Sequence, residues 1–238
     1  MKETIHSYED LLRMLDHLLK QESDFDWDQF YSDRARKIPF FKNYPDENLV
    51  EYIETKKINT GKVLELGCGP GRNAIYLARN DFNVDAVDQS TEGLEWARER
   101  AKEQNVQVDF IQSNIFDFAI AEGTYDLVYD SGCFHHIPPH RRMSYIELVK
   151  RALKPGGFFA LTCFVLGGEL GGAAISDWEV YRGRSMRGGL GFTDEKLKEI
   201  FHDFKAVEIR KMKDMGPESS EFGTSALLAA LFKKETME

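Results

Sequence analysis

Short apolar runs alternate with amphipathic stretches along most of the chain from residue 62 onward. Such runs, bounded by polar turn residues, are typical of buried β-strands, and the stretches between them have helical spacing. Strands that alternate with helices in this way lie parallel and are joined by crossover helices, so the pattern predicts an α/β sheet. The predicted strands are 63–66, 84–87, 108–112, 125–130, 158–164, 207–211 and 225–232, and the predicted helices are 73–79, 91–104, 141–153 and 193–201.

The first 60 residues contain no convincing strand and predict three helices instead. The helix over 8–20 has a leucine stripe and follows Ser7, a residue type that caps helix N-termini. A polar-aromatic helix is expected over 27–36, ending before Pro39, and a third helix begins near residue 45.

The pattern therefore divides the chain into a helical extension over 1–44 and one globular unit over 45–238. Aromatic residues of the extension are expected either to form a lid on the sheet or simply to dock the helices. A glycine-rich stretch over 165–192 predicts a long loop, which in compact domains is usually functional or flexible.

A glycine-rich turn follows the first strand. Gly67, Gly69 and Gly71 let the backbone turn tightly and approach a ligand, and a helix resumes at Asn73. A strand, a glycine turn and a helix N-terminus together form a nucleotide-binding element of doubly wound α/β proteins. Cys68 lies in the middle of this turn, where a catalytic role is not expected.

The details of this turn distinguish between nucleotides. A dinucleotide fingerprint has the spacing G-x-G-x-x-G, whereas this turn has G-x-G-x-G with Arg72 in place of the last glycine. Glu65, two positions before the first glycine, would repel a pyrophosphate but suits a ligand with an ammonium and a sulfonium. The pattern resembles motif I of the class I S-adenosylmethionine-dependent methyltransferases.

The resemblance implies a Rossmann-like, doubly wound, mostly parallel seven-stranded sheet that ends in an antiparallel hairpin. It also implies S-adenosylmethionine as the cofactor and S-adenosylhomocysteine as the product. The N-terminal segment Trp-Asp-Gln-Phe-Tyr at 27–31, followed by a proline, resembles the small-molecule members that act on thiols and related acceptors.

Asp88 ends the second strand, about twenty residues after the glycine turn. Because neighbouring parallel strands end at the same sheet edge, its carboxylate is placed to accept hydrogen bonds from both ribose hydroxyls, the role it has in the resembling family. Gln89 then flanks the adenine. Where the family usually carries an aspartate for the adenine amino group, this chain has Asn114, whose carbonyl oxygen still accepts that bond. Ile115 is expected against the ring, and Asp117 is an alternative contact or a helix cap.

The remaining cofactor contacts come from the resemblance. Asp130, after the fourth strand, is expected to line the methionine portion, and Tyr31 or Arg36 to reach its carboxylate. The predicted cofactor site comprises Tyr31, Glu65, Gly67, Cys68, Gly69, Gly71, Asn73, Asp88, Gln89, Asn114, Ile115 and Asp130.

His135 and His136 follow the fourth strand, where an acceptor should approach. A neutral imidazole can accept a thiol or hydroxyl proton, so either histidine is a candidate general base. Packing and anchoring of the loop is the alternative. Methyl transfer otherwise needs mainly alignment of acceptor, methyl and sulfur.

Composition limits the partners. The 238 residues carry a net charge of −9, which disfavours nonspecific binding to nucleic acid or anionic membranes. Three scattered cysteines show no metal-ligand spacing, and no apolar run is long enough to cross a bilayer. The expectation is a cytoplasmic protein that acts on a small molecule without a metal; the oligomeric state stays open.

Two other functions stay open at this point. A nicotinamide-dependent oxidoreductase would use the same strand-turn-helix element, although Glu65 and the absent third glycine disfavour it. A non-catalytic regulatory protein would bind S-adenosylmethionine without transferring its methyl group.

Overall fold

Seven strands form one sheet in the computed structural model, which describes residues 4–19 and 25–236. In chain order the strands are β1 (Lys62–Leu66), β2 (Asn83–Asp88), β3 (Asp109–Gln112), β4 (Tyr125–Ser131), β5 (Leu153–Phe164), β6 (Lys205–Lys211) and β7 (Leu227–Lys233). Their order across the sheet is β3-β2-β1-β4-β5-β7-β6. The first five are parallel, and β7 lies antiparallel between β5 and β6. The predicted fold class is confirmed.

Eight α-helices accompany the sheet in the described residues: α1 (Tyr8–Leu19), α2 (Trp27–Ser32), α3 (Glu47–Glu54), α4 (Arg72–Arg79), α5 (Thr91–Glu103), α6 (Arg142–Ala152), α7 (Asp177–Gly183) and α8 (Asp194–Ile200). The predicted Ser7 cap forms, since its Oγ accepts the Asp10 N–H at 3.1 Å. Thr193 Oγ1 likewise accepts the Lys196 N–H at 3.2 Å and caps α8. The prediction that the first helix reaches Lys20 falls outside the described residues.

Several predicted bounds are wrong. β5 begins at Leu153 rather than at residue 158, since Leu153 already pairs with Tyr125 of β4. The aromatic helix α2 ends at Ser32 rather than at residue 36, because Asp33 leaves the helical region and its side chain accepts the Ala35 N–H at 3.3 Å. The stretch 165–192 is not one loop, since α7 lies within it. There Ser176 and Glu179 form a reciprocal capping box that starts the helix.

Both faces of the sheet are buried. Leu64, Leu66 and Val128 point into one hydrophobic cluster, while Val63 and Leu127 point into another on the opposite face. Successive side chains of a strand alternate between faces, so helices on both sides require apolar residues at almost every position. This explains why β1 and β2 are mostly apolar in the sequence, with the buried acids Glu65 and Asp85 as exceptions within them.

The order of the strands fixes the place of the functional site. β1 lies between β2 and β4, and the chain runs from β1 to one side of the sheet before crossing to the other. The connections after β1 and β4 therefore diverge and leave a crevice at their carboxyl ends. Ligands of open α/β sheets bind in such crevices.

Candidate active site

The glycine turn after β1 closes over the end of β2. The N–H groups of Gly67 and Cys68 donate to the Val87 carbonyl at 2.8 and 3.1 Å. Gly67 and Gly69 adopt φ values of +68° and +48°, which favour glycine. A Cβ on Gly67 would lie 2.7 Å from the Cβ of Cys133, so the turn and the segment after β4 touch without room for a side chain.

Asp88 joins the glycine turn to the end of β2. One carboxylate oxygen accepts the Gly69 N–H at 2.7 Å and the other accepts the Ser90 N–H at 2.8 Å. Its burial raises its pKa, while these backbone donors lower it. A carboxylate oxygen has a second lone pair, so each can still accept a ligand hydroxyl. Asp88 is therefore a fixed acceptor at the floor of the crevice.

Glu65 lies beneath the same turn and is 1% exposed. It accepts the backbone N–H of Ala74, while Oε2 has no hydrogen-bond partner among the described residues. Burial raises its pKa to about 8; Arg72 opposes this rise, and Asp46 and Asp130 reinforce it. An unpartnered buried carboxyl oxygen is costly in isolation and suits a cationic ligand.

Asp130, predicted to line the cofactor's methionine portion, is occupied by the chain's own donors. Oδ1 accepts the N–H groups of Cys133 and Phe134, at 2.8 and 3.2 Å, and Oδ2 accepts the Tyr145 hydroxyl at 2.6 Å. Burial raises the pKa of Asp130 to about 6. In the structure Asp130 shapes the segment after β4, and its contact with the cofactor stays a prediction.

The side chain of Asn73 is also occupied by hydrogen bonds within the chain. Its Oδ1 accepts the Asp46 N–H at 2.9 Å, and its Nδ2 donates to Asp46 Oδ2 at 3.1 Å. The same carboxylate receives the Tyr129 hydroxyl at 2.7 Å and pairs with Arg72 Nη2 at 2.6 Å. Thus Asn73 connects α4 to the start of α3, and its role as a cofactor contact also stays a prediction.

The residues predicted around the adenine lie at the ends of β2 and β3. Gln89 and Asn114 are exposed and Ile115 is buried. Asn114 Oδ1 accepts the Phe116 N–H at 3.0 Å, which shapes the turn after β3 and leaves a lone pair for a ligand.

Helix α2 places an aromatic side chain on the glycine turn. A Cβ on Gly69 would lie 2.6 Å from the Tyr31 hydroxyl oxygen, and one on Gly93 would lie 3.1 Å from the Tyr31 ring. Tyr31 is buried, and its ring centroid lies 5.9 Å from that of Phe41. Tyr31 thus lies on the glycine turn, and its contact with the cofactor stays a prediction.

His135 and His136 lie beside the aromatic residues of α2. The Trp27 ring meets His136 edge-on at 5.1 Å, and His135 stacks on Phe164 at 3.7 Å between centroids. Burial lowers the pKa of both rings, that of His136 to about 4, so both are neutral near pH 7. Among the residues the structure describes, His135 Nδ1 has no hydrogen-bond partner.

Sequence reasoning missed Asp46, Tyr129 and Arg100 around the turn. Arg100, buried on α5, donates to the carbonyl oxygens of Pro70 and Phe41 and so joins the turn to the N-terminal segment. An arginine at an apolar position of α5 was a usable signal. The sequence gives no such signal for Asp46, because an aspartate before a helix is ordinarily a solvated cap.

A strand, glycine turn and helix with a buried carboxylate on the next strand form the arrangement of a nucleotide-binding α/β protein. Residues 63–157 match the model of a methyltransferase domain family. Over these residues, and in its fold, the chain is similar to the class I S-adenosylmethionine-dependent methyltransferase superfamily, whose cofactor is S-adenosylmethionine.

Named relatives agree with this assignment. An uncharacterized methyltransferase of Synechocystis is 39% identical over 110 residues, covering 46% of this chain and 50% of that protein. The 2-heptyl-1-hydroxyquinolin-4(1H)-one methyltransferase of Mycobacteroides abscessus is 28% identical over 131 residues, covering 55% and 57%. A ubiquinone biosynthesis O-methyltransferase of Erwinia tasmaniensis is 35% identical over 97 residues, covering 40% and 39%. The chain therefore spans about half the length of these relatives, or less.

Solved structures share the fold. A protein that converts a disulfide bond into a thioacetal group during echinomycin biosynthesis superposes with a TM-score of 0.69 at 21% identity, covering 89% of this chain and 91% of that one. TehB from Haemophilus influenzae gives a TM-score of 0.59 at 21% identity, covering 79% and 62%.

The residues present fit this cofactor. Asp88 retains lone pairs for two ribose hydroxyls, and Glu65 has an unpartnered oxygen for a cationic group. The glycine turn leaves no Cβ between Asp88 and Tyr31, whose hydroxyl lies over Gly69. We name Asp88, Glu65, the glycine turn and Tyr31 as the residues that would hold it.

We expect S-adenosylmethionine affinity to rise with pH through about 8, the raised pKa of Glu65. Below that pH the carboxyl is neutral, and above it the anion attracts a cationic ligand. Calorimetric titration across this range measures the effect. The Glu65→Gln variant should lose the dependence, while Glu95→Gln, at an exposed position on α5, should keep it. An unchanged pH profile in Glu65→Gln would contradict this role.

Proposed function

We propose that this chain is an enzyme that transfers the methyl group of S-adenosylmethionine to a small-molecule acceptor by in-line displacement. The observation that carries the proposal is the Asp88 carboxylate fixed against the glycine turn, under the cover of Tyr31. The relatives named for quinolone and ubiquinone methylation support a small acceptor.

Bound S-adenosylmethionine supplies an electrophilic methyl group on a sulfonium and leaves as S-adenosylhomocysteine. The chain's own residues supply binding, orientation and exclusion of water. Asp88 and the turn fix one end of the site, and Tyr31 and Trp27 cover it. Alignment of reactants in a covered site provides most of the rate enhancement that such a displacement needs.

His135 and His136 are proposed to contact the acceptor, either as a general base or by hydrogen bonding. Because their pKa values are lowered, both rings are unprotonated at neutral pH. A weakly basic imidazole removes a proton efficiently only from an acidic acceptor such as a thiol or phenol.

Replacing either histidine with alanine should lower kcat at least about tenfold and leave S-adenosylmethionine affinity nearly unchanged. The control is His202→Ala, because His202 is exposed after α8. With a base of pKa about 4 at position 136, kcat should be independent of pH from 6 upward. Unchanged kcat in both alanine variants would show that the pair only packs.

The proposal places the chain in the cytoplasm, where its three free cysteines would stay reduced. No helix among residues 4–19 and 25–236 is long and apolar enough to cross a membrane. The described residues also contain no cluster of potential metal ligands.

A panel of acceptors tests the proposal. Thiol, oxygen, nitrogen and chalcogen oxyanion compounds are incubated with S-adenosylmethionine, and release of S-adenosylhomocysteine is quantified. We expect activity confined to one acceptor class. Binding of the cofactor without product from any class would favour a regulatory protein instead.

A further inference from the structure

A cavity of about 690 Å³ lies next to Arg72, the residue that follows the glycine turn. Residues 34–44, Leu170 and residues 214–224, which connect β6 to β7, contribute its lining. The Phe222 ring in its wall lies 4.7 Å below the Arg72 guanidinium, and the Tyr44 carbonyl accepts from the same group at 3.0 Å. Arg72 also donates to Ser131 at the end of β4 at 2.8 Å. Arg72 thus connects two residues of the cavity's lining to the end of β4.

One wall of this cavity is cationic. It carries Arg34, Arg36, Lys37 and Lys42 within nine residues of a chain whose net charge is −9. Arg34 pairs with Glu99 at 2.5 Å. Within the part of the chain that the structure describes, no carboxylate lies within ion-pair distance of the other three. Aromatic faces hold two of them: the Arg36 guanidinium lies 5.1 Å over Phe30, and Lys42 Nζ lies 5.4 Å over Tyr44.

Two carboxylates, Asp214 and Glu221, also line the cavity. Asp214 accepts the Ser225 N–H at 2.6 Å, and this bond lowers its pKa. Glu221 faces Lys213 and two other acids, and burial raises its pKa. The lining therefore carries three unpaired cations against two carboxylates, one of which is hydrogen-bonded to the backbone.

The cavity also offers an apolar surface. Phe41 and Phe222 are buried side chains of its lining, and Tyr44 lies beside them. A volume of this size is within the range of small-molecule sites, which combine apolar walls with a few polar groups. Aromatic walls suit a planar or apolar body, and the cations suit an anionic group attached to it.

We propose that this cavity binds the anionic end of the methyl acceptor, a small molecule with an apolar or aromatic body and an anionic oxygen group that is held by Arg36, Lys37 and Lys42. The description of this ligand as a methyl acceptor rests on the proposed methyl transfer. The site itself rests on the cavity, its unpaired cations and the contacts of Arg72 with its lining residues Phe222 and Tyr44.

Direct binding measurements test the inference without requiring turnover. Benzoate, phenyl phosphate and benzenesulfonate are titrated into the protein saturated with S-adenosylhomocysteine, and benzamide serves as the neutral counterpart of benzoate. We expect at least one anion to bind at millimolar concentration and benzamide to bind at least about tenfold more weakly. Failure of all three anions to bind, or equal binding of benzoate and benzamide, overturns the inference.

Charge-neutral variants locate the binding. The double variant Arg36→Gln with Lys42→Gln should weaken anion binding at least about tenfold, since each cation contributes a charge-assisted hydrogen bond. Lys102→Gln, at an exposed position on α5, should leave it unchanged. Equal anion affinity in the double variant and the wild type would place the anion elsewhere and reject the site.

The two proposals fail in different ways. Cofactor binding without anion binding rejects the acceptor site alone. Anion binding without any product from the acceptor panel rejects methyl transfer alone and leaves an anion site. Thermal denaturation of every variant checks that the fold is intact. Because these cations are exposed, their replacement should not affect folding.

Discussion

Replacing Asp88 with asparagine should weaken S-adenosylmethionine binding at least about a hundredfold. Two ribose hydroxyls donating to a carboxylate form hydrogen bonds worth about 1.5–3 kcal/mol each, and about 1.4 kcal/mol corresponds to a factor of ten. The amide also presents an NH₂ group to the N–H of Gly69 or Ser90, where the carboxylate accepts both. Calorimetric titration with the cofactor measures the loss.

Asp85→Asn is the matched control. Asp85 is a buried acid three residues earlier on the same strand, but it pairs with the Tyr125 hydroxyl at 2.7 Å and with Lys62 at 2.9 Å. Its replacement should lower stability and leave cofactor affinity within about threefold. Equal affinities in the two variants would contradict the assignment of Asp88.

Gly67→Ala should destabilise the fold by about 2–4 kcal/mol. A positive φ costs about 1 kcal/mol for alanine, and overpacking costs a further 1–3 kcal/mol. The overlap is with Cys133 Cβ at 2.7 Å, an atom that no rotamer change can move. Urea denaturation monitored by fluorescence measures the difference in unfolding free energy.

Gly123→Ala separates the cost of a positive φ from the cost of overpacking. Gly123 has a φ of +59°, and a Cβ there would have no atom within 4 Å. Its replacement should show the backbone contribution alone, about 1 kcal/mol. Adding Cys133→Gly to Gly67→Ala should recover part of the loss. Equal destabilisation by the two alanines would mean that the turn and the segment after β4 are not in close contact.

The sheet could be predicted from sequence because its signal is local. A parallel strand covered on both faces must be apolar at nearly every position, and the runs at 63–66 and 84–87 meet that requirement. The end of α2 was predicted four residues too late because the side chain of Asp33 captures the Ala35 N–H. A helix start such as that of α7 depends on a reciprocal bond between Ser176 and Glu179, which a glycine-rich composition obscures.

Some contacts of the candidate site could likewise be predicted from the sequence, whereas others could not. Gly69 and Asp88 were expected together because neighbouring parallel strands end at one edge, and the structure joins them by a 2.7 Å hydrogen bond. Asn73 is bound to Asp46, 27 residues away, and Asp130 to the Tyr145 hydroxyl. Such partners follow from the packing of α3 and α6 on the sheet. The sequence around Asn73 and Asp130 does not indicate these partners.

The cationic cavity was outside the reach of sequence reasoning for a similar reason. Arg36 was expected, as an alternative to Tyr31, to reach the carboxylate of the cofactor. In the structure Arg36 lines a cavity completed by residues 214–224, far away in sequence. Only the fold brings these segments together.

Titration of the purified chain with S-adenosylmethionine and, separately, with NAD⁺ tests the central claim most directly. We predict saturable binding of S-adenosylmethionine with a one-to-one stoichiometry, its loss in Asp88→Asn, and no binding of NAD⁺. Tight binding of NAD⁺ without binding of S-adenosylmethionine would contradict the account, because the glycine turn and Glu65 would then serve a pyrophosphate.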